Sequence, residues 1–393
     1  MRSKDVKRWK EEKNKNKGKK EKVNKNTFLL FFINFLLFNL IFYSNSLFPL
    51  IKSGFYKSYL DLSYMVIVLG IESTAHTFGI GIVKNGKILS NIKKTYTTEK
   101  GGIIPIEAAK HHKENCEKIY FESLEKAEIK EKDISAIAFS QGPGLAPCLM
   151  EGLKFAKQLS EKLKKLIVPV NHCVAHLEIG KITEAKDPVM LYTSGANTQI
   201  IAYSTGKYRI FGETLDVGVG NFIDNFARLM NIGFPGGPKI QELAEKGKNY
   251  IELPYVVKGM DISLSGILTN LKQKIESKKY SKEDLAYSMQ ETVFAMLVET
   301  AERALAHTGK NELLLGGGVA CNTRLQEMCR IMCEERNAKL FVPPRDLLVD
   351  NGAMIAFLGE IMLKKGIKVA EGEIEKLGIK PRQRTDDVEV KWK

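Results

Sequence analysis

The chain has 393 residues, 44% of them hydrophobic and 27% charged, which excludes a disordered, fibrous or small disulfide-stapled protein and leaves room for two lobes with a large core. Its formal net charge of +14 points to a polyanionic partner. The charge is unevenly placed: eight units fall in residues 1–26, one in residues 27–64 and five from Met65 onward, so the body is only mildly basic.

Residues 1–64 differ from the rest. A run of Lys and Asn precedes an almost wholly apolar stretch, Phe28 to Tyr43, with a weaker continuation to Ile51. One reading is a membrane anchor near the lower length limit, interrupted by Asn34 and Asn39. A signal peptide is disfavoured, because the basic region is too long and no small-residue cleavage site follows. The preferred reading is a start-site artefact: Lys, Asn, Phe, Leu, Ile and Tyr are what AT-rich DNA encodes when read through, and Met65 directly precedes the first clear strand. The segment is set aside from the fold.

From Met65 a buried strand, Val66 to Ile71, turns at Glu72-Ser-Thr-Ala-His-Thr into a second, Gly79 to Val83. Asn85-Gly86 makes a tight turn into a third, Lys87 to Thr95. A helical period runs from Glu107 to about Lys126 and carries His111 and His112, which diverge by about 100° and so form a helix face near a site rather than a chelating pair. Ile134 to Phe139 is a strand, Ser140-Gln-Gly-Pro-Gly-Leu breaks it, and Pro147 to Leu163 is a helix; a glycine turn before a helix is a general anion cradle. It lacks the Gly-Lys-Ser/Thr ending of a P-loop.

A short strand at Leu166 to Val170 leads into Asn171-His-Cys-Val-Ala-His176. His172 and His176 stand four apart and share a helix face, the spacing at which two imidazoles meet one metal ion. Two ligands do not make a site, and a pair that only caps or packs is the plainer reading, so a further oxygen or sulfur donor is needed downstream. Cys173, one position on from His172, points about 100° away and is expected to face elsewhere.

A second strand-rich unit repeats the pattern: Val189 to Tyr192, the turn Thr193-Ser-Gly-Ala-Asn197, then Thr198 to Tyr203 and Tyr208 to Glu213. The echo implies two related lobes facing a cleft, an N-terminal lobe over residues 65–187, a C-terminal lobe with a helical insert over 188–380, and a tail, 381–393. A helix from Val219 to Leu229 carries Asp224; at Gly233-Phe-Pro-Gly-Gly-Pro238 the backbone either approaches something closely or turns tightly. A Lys-rich insert and a long helix, Lys282 to His307, follow. Leu313 to Leu315 ends in Gly316-Gly-Gly-Val-Ala-Cys-Asn322, bare backbone on which an adenine and ribose can lie, and a helix starts at Thr323. Lys339 to Val342 is the last strand, and Asp350-Asn-Gly opens the last long helix. Asp350 is either that helix's N-cap or the missing carboxylate. The six cysteines, Cys116, Cys148, Cys173, Cys321, Cys329 and Cys333, show no disulfide spacing and favour a reducing, cytoplasmic setting, with Cys329 and Cys333 as small buried residues.

Taken together the motifs resemble the tRNA N6-adenosine threonylcarbamoyltransferase family in its archaeal and eukaryotic branch, the catalytic subunit of the KEOPS complex, formerly called O-sialoglycoprotein endopeptidase. The matching stretches are Leu69-Gly-Ile-Glu-Ser-Thr-Ala-His-Thr, Asn171-His-Cys-Val-Ala-His, Tyr192-Thr-Ser-Gly-Ala-Asn, Asp216-Val-Gly-Val-Gly-Asn, Gly233-Phe-Pro-Gly-Gly-Pro-Lys, Met260-Asp-Ile-Ser-Leu-Ser-Gly, Gly317-Gly-Val-Ala-Cys-Asn and Asp350-Asn-Gly-Ala-Met-Ile. They span residues 65–393 in the family's order.

The resemblance implies an α/β, actin-like ATPase (ASKHA) fold of two ribonuclease-H-like lobes. It implies one divalent metal, Fe2+ with Zn2+ as the alternative, held by His172, His176, Tyr192 and Asp350. It implies an ATP- or AMP-type ligand, with Mg2+ as an accompanying ion, held by Tyr192, Thr193, Ser194, Gly195, Ala196, Asp224, Gly237, Gln241 and Asn322. The implied reaction moves a threonylcarbamoyl group from threonylcarbamoyl-AMP to N6 of adenosine 37 in tRNAs reading codons that begin with A, with no catalytic residue assigned beyond the metal site. The implied partners are tRNA, a small atypical kinase subunit and other KEOPS subunits, and a separate synthase that makes the adenylate; no membrane partner is expected unless residues 1–64 are real. Three positions depart from the family: Ala196 for a glycine, Gln241 for Glu, and Ile106 for Arg. A metalloprotease is the rival enzyme, but no carboxylate stands between His172 and His176 to act as base. A non-catalytic ATP-binding protein of the same fold is the second rival. The mildly basic body predicts weak tRNA binding by the isolated chain.

Overall fold

A computed structural model describes residues 66–98 and 102–393, so the readings of residues 1–64 lie outside the described residues. The first sheet is made of β1 (Ile67–Glu72), β2 (Thr77–Lys84), β3 (Lys87–Thr95), β4 (Ala136–Gly142) and β5 (Leu166–Asn171) in the order β3-β2-β1-β4-β5. β1 runs antiparallel to β2 and parallel to β4. The second sheet takes β6 (Val189–Thr193), β7 (Thr198–Ser204) and β8 (Lys207–Glu213). After a ribbon of β9 (Val257–Lys258) and β10 (Asp261–Ile262) it adds β11 (Glu312–Gly316) and β12 (Lys339–Phe341). Read as β8-β7-β6-β11-β12, its order is that of the first sheet. The duplicated ribonuclease-H-like sheet makes this an actin-like ATPase fold, and the echo at Val189 was its mark in the sequence.

Strand alternation sorts the side chains into three layers. Ile67, Leu69 and Ile71 of β1 pack outward on α1 (Pro105–Ala127) and α2 (Ala146–Leu163). Val68, on the opposite face, joins a central layer shared with Met190 and Tyr192 of the second sheet. Val189 and Leu191 face the far side, onto a core built with α4 (Val219–Leu229), α5 (Gly237–Ala244), α6 (Ser265–Glu276), α7 (Lys282–Thr308) and α8 (Thr323–Glu335). The central layer holds α3 (His172–Ile179) and, after the short α9 (Arg345–Leu348), α10 (Gly352–Lys364).

The chain does not stay in its second half to residue 380, as the sequence led us to expect: α10 lies on the first sheet. Glycine permits this. A Cβ on Gly70 would stand 2.2 Å from the Ala356 nitrogen, and one on Gly81 2.2 Å from the Ala353 nitrogen, so helix and strand backbones touch directly. α5 and α6 fall where the sequence suggested a turn and a polar insert; α5 starts at Gly237 with a proline in its first turn. Among the described residues no helix is long and apolar enough to cross a membrane.

Candidate metal centre and substrate cleft

α3 begins where β5 ends. Asn171 caps it, its Oδ1 accepting from the Val174 N–H at 3.0 Å. His172 and His176, one turn apart, bring their ring centroids within 4.8 Å, with side chains 7% and 1% exposed. Glu72, last in β1, shares the inward parity of Val68 and so faces the same layer. Its carboxylate accepts from His172 Nδ1 at 2.9 Å and from the Thr74 N–H at 2.7 Å. That pairing turns His172 Nε2 away, toward Asp350.

Asp350 is not the cap of α10. Asn351 takes that role, accepting from the Met354 N–H at 2.9 Å. The Asp350 carboxylate is thereby left to the histidines, with one oxygen 3.4 Å from Nε2 of each. The three donor atoms all lie within 4.8 Å of one another. Both ring nitrogens of His176 are buried without a hydrogen-bond partner, a rare state that a cation shared with His172 and Asp350 relieves at one nitrogen. Two imidazoles and a carboxylate, with one imidazole braced from behind by Glu72, are a donor set suited to a divalent metal.

Burial opposes charge on each of the three. At His172 the Glu72 and Asp350 carboxylates outweigh it and hold the imidazole well above its ordinary range. At His176 burial dominates and pulls the imidazole down. At Asp350 burial is overcome by the two imidazoles, which hold the carboxyl well below the usual range.

Tyr192, next to last in β6, is 1% exposed, with its ring centroid 5.1 Å from that of His176. Burial holds its hydroxyl well above the ordinary value, and the charges of Cys173 and Asp350 add to the rise. The Cys173 thiol, also raised by burial, meets Thr385 and Tyr192 and is not one of the three clustered donors.

A cleft of about 1130 Å³ opens beside the donors. Tyr192, Ser194, Gly195, Ala196, Asp224, Gly237, Gln241 and Asn322 line it. Thr193 does not; it is fully buried and its hydroxyl donates to the Gly316 carbonyl at 3.2 Å. At Gly317, φ is +89°, and an added Cβ would stand 2.4 Å from the Thr193 carbonyl oxygen, so this loop packs against the β6 turn without side chains between them.

Three comparisons bear on this arrangement. The family model described as TsaD, tRNA N6-adenosine threonylcarbamoyltransferase, matches residues 87–357. The chain belongs to this family. It is 57% identical over 327 residues to the tRNA N6-adenosine threonylcarbamoyltransferase of Thermococcus kodakarensis, covering 83% of this chain and 100% of that protein. It is 52% identical over 329 residues to a Methanocaldococcus jannaschii protein named "Probable bifunctional tRNA threonylcarbamoyladenosine biosynthesis protein", covering 83% of this chain and 60% of that one. Among solved structures, T. kodakarensis HypF is similar in fold alone, with a TM-score of 0.55 at 18% identity over 77% of this chain and 48% of that one.

Membership in the threonylcarbamoyltransferase family sharpens what each cleft residue is free to do. Asp224 accepts from the Gly236 N–H at 2.8 Å, and burial raises its carboxyl. Gln241 donates to Thr323 Oγ1 at 2.9 Å. The Asn322 carboxamide is committed at both ends: its oxygen caps α8 at Arg324 and Leu325, and its nitrogen donates to Gln290 Oε1 at 2.9 Å. The anion cradle read at Ser140–Leu145 is closed, because the Gly144 N–H donates to the Pro381 carbonyl at 3.1 Å and the Leu145 N–H to that of Thr74 at 2.7 Å. His112 is fully buried, with Nε2 at 3.0 Å from the Ala75 carbonyl oxygen, and burial pushes it down to about 4. Its Nδ1 lies 3.4 Å from that of His111, closer than their helical divergence suggested. Neither belongs to the donor cluster.

The sequence reading missed Glu72's partnership with His172. A carboxylate on the inward parity of an otherwise apolar strand was its signal. It also missed Arg382, Gln383 and Thr385 in the cleft wall, where neither periodicity nor motif marks them.

Proposed function

We propose that this chain transfers the threonylcarbamoyl group from threonylcarbamoyl-adenylate to N6 of adenosine 37 in tRNA, releasing AMP. The observation that carries this reading is that the His172–His176–Asp350 cluster opens onto a glycine-walled cleft, in a chain similar along its body to a named threonylcarbamoyltransferase. His172, His176 and Asp350, with Tyr192 as a fourth donor, would hold one divalent metal, iron with zinc as the alternative. Bound there, the cation supplies Lewis acidity toward substrate oxygens.

The protein's own residues do the remaining work. Glu72 holds the His172 ring so that Nε2 faces the cleft. The β6 turn carries no side chain at Gly195 and only a methyl at Ala196, so main chain can approach a phosphate closely. Asp224 suits a ribose hydroxyl, and Gly237 lets α5 approach the same sugar. The Asn322 carboxamide contributes by shaping the start of α8 rather than by a free donor or acceptor toward the ligand. The N6 nitrogen attacks the carbamoyl carbon, the bond from that carbon to the AMP phosphate oxygen breaks, and the phosphate leaves with the negative charge. The N6 proton passes to solvent.

Assembly with a small kinase subunit and other KEOPS subunits, and supply of the adenylate by a separate synthase, belong to the same reading. The M. jannaschii relative named bifunctional extends beyond the match, which supports a second activity working beside this one. Six free cysteines support a reducing, cytoplasmic setting. The test is reconstitution: the protein, partner subunits, tRNA, threonine, bicarbonate, ATP and the adenylate-forming enzyme are combined, and the tRNA is digested to nucleosides. Threonylcarbamoyladenosine formed by wild type and lost with His172→Ala is expected. Wild type that makes none, or equal product from both, would sink the proposal.

A further inference from the structure

The last residues of the chain form a strap with no helix or strand pattern to announce it in sequence. It starts on the first sheet, where the Lys380 N–H donates to the Gln141 carbonyl at 2.7 Å. It then crosses to the second sheet, where the Thr385 hydroxyl, 1% exposed, donates to Gln199 Oε1 at 3.3 Å. It ends in the central layer with Val390 and Trp392, 9% and 6% exposed.

Along this path it grips α3 at both ends. At the start, Asn171 Nδ2 donates to Gln383 Oε1 at 3.1 Å, while the other side of the same carboxamide caps the helix. At the far end, Trp392 Nε1 donates at 2.7 Å to Glu178 Oε1, which also accepts from the Tyr208 hydroxyl. Glu178 is 1% exposed, and its carboxylate is held by these two donors and by an ion pair with Lys181. An eight-residue helix is too short to hold its own register. Both histidines of the cluster lie between the two grips.

We infer that the C-terminal strap, through Gln383 and Trp392, positions α3 and so sets the geometry at which His172 and His176 meet a metal. This makes them positioning residues, and it rests on the metal reading above. A grip lost at one end lets the helix shift by a fraction of its pitch, enough to spoil a three-donor site without unfolding the lobe.

The test uses Co2+ as the probe, added to the full-length metal-free protein, with its visible absorption reporting ligand geometry. Gln383→Met with Trp392→Phe keeps the bulk of both side chains and removes both polar contacts. It is expected to weaken Co2+ binding about tenfold and to shift the absorption band, as loss of a ligand's support does in other sites. Thermal unfolding of the metal-free form is expected to fall by a few degrees, because a buried acceptor loses a donor, and to remain one cooperative transition. Gln383→Glu keeps the acceptor and should bind within about twofold of wild type. Wild-type affinity and band in the double variant would overturn the inference, as would Gln383→Glu binding as weakly as the double variant. Wild type that takes up no Co2+ would remove the metal reading itself, and the strap's role with it.

Discussion

The two five-stranded sheets share one strand order yet face the cleft with opposite chemistry. The first, at the ends of β1 and β5, presents Glu72 and the start of α3: charged, buried groups, each held by a named partner. The second, at the ends of β6 and β11, presents Ser194-Gly-Ala and Gly318: main chain with few side chains above it. A duplicated topology supplies two equivalent crevices, and side-chain chemistry divides the labour between them. One wall is built to hold a cation and the other to admit a phosphate and sugar. Asp350, delivered by a chain that recrosses between the halves, ties the two together.

The comparison breaks most sharply at Asp350. Asp350→Ala leaves the α10 cap at Asn351 intact and is expected to cost about a thousandfold in metal affinity, measured by chelator competition, with little change in folding. If affinity held, the metal wall would need another donor. Glu72→Gln keeps the shape but not the charge behind His172, and a loss of about ten- to a hundredfold is expected in the same titration.

The upward shift of His172 sharpens the picture. A folded-state pKa raised above the unfolded value means that, without metal, this contact stabilises the fold at low and neutral pH and the benefit is lost as pH rises through the folded pKa. Metal must displace the proton that this shift favours, so uptake at neutral pH should release about one proton, and affinity should rise about tenfold per pH unit. Calorimetry in two buffers of different ionisation enthalpy reads the proton count; a count of zero would show that His172 is neutral before binding. The smallest effect is expected on the other wall. Asn322→Ala removes the α8 cap and should cost about 1 kcal/mol of stability in denaturant unfolding while leaving metal affinity unchanged.

Much of this was visible in the chain, for reasons that differ by residue. His172 and His176 declare themselves by spacing on one helix, and the repeated strand-turn-strand pattern declares the duplication. Asp350 stayed ambiguous because Asp350-Asn351 offers two adjacent capping side chains, and only the backbone path decides which one caps. α10 could not be assigned to the first sheet because its docking depends on Gly70 and Gly81, far away in sequence, whose missing Cβ atoms let the backbones meet. The strap followed no periodicity, since its side chains alternate among three separate neighbourhoods.

The central claim is that one site joins the metal cluster to transfer of the threonylcarbamoyl group. Its most direct test supplies preformed threonylcarbamoyl-adenylate and tRNA to the protein with its partner subunits. Wild type is compared with His176→Ala, each stripped of metal and then restored with Fe2+ or Zn2+. The account predicts modified nucleoside from restored wild type alone. Equal product from stripped wild type, or from His176→Ala, would contradict it.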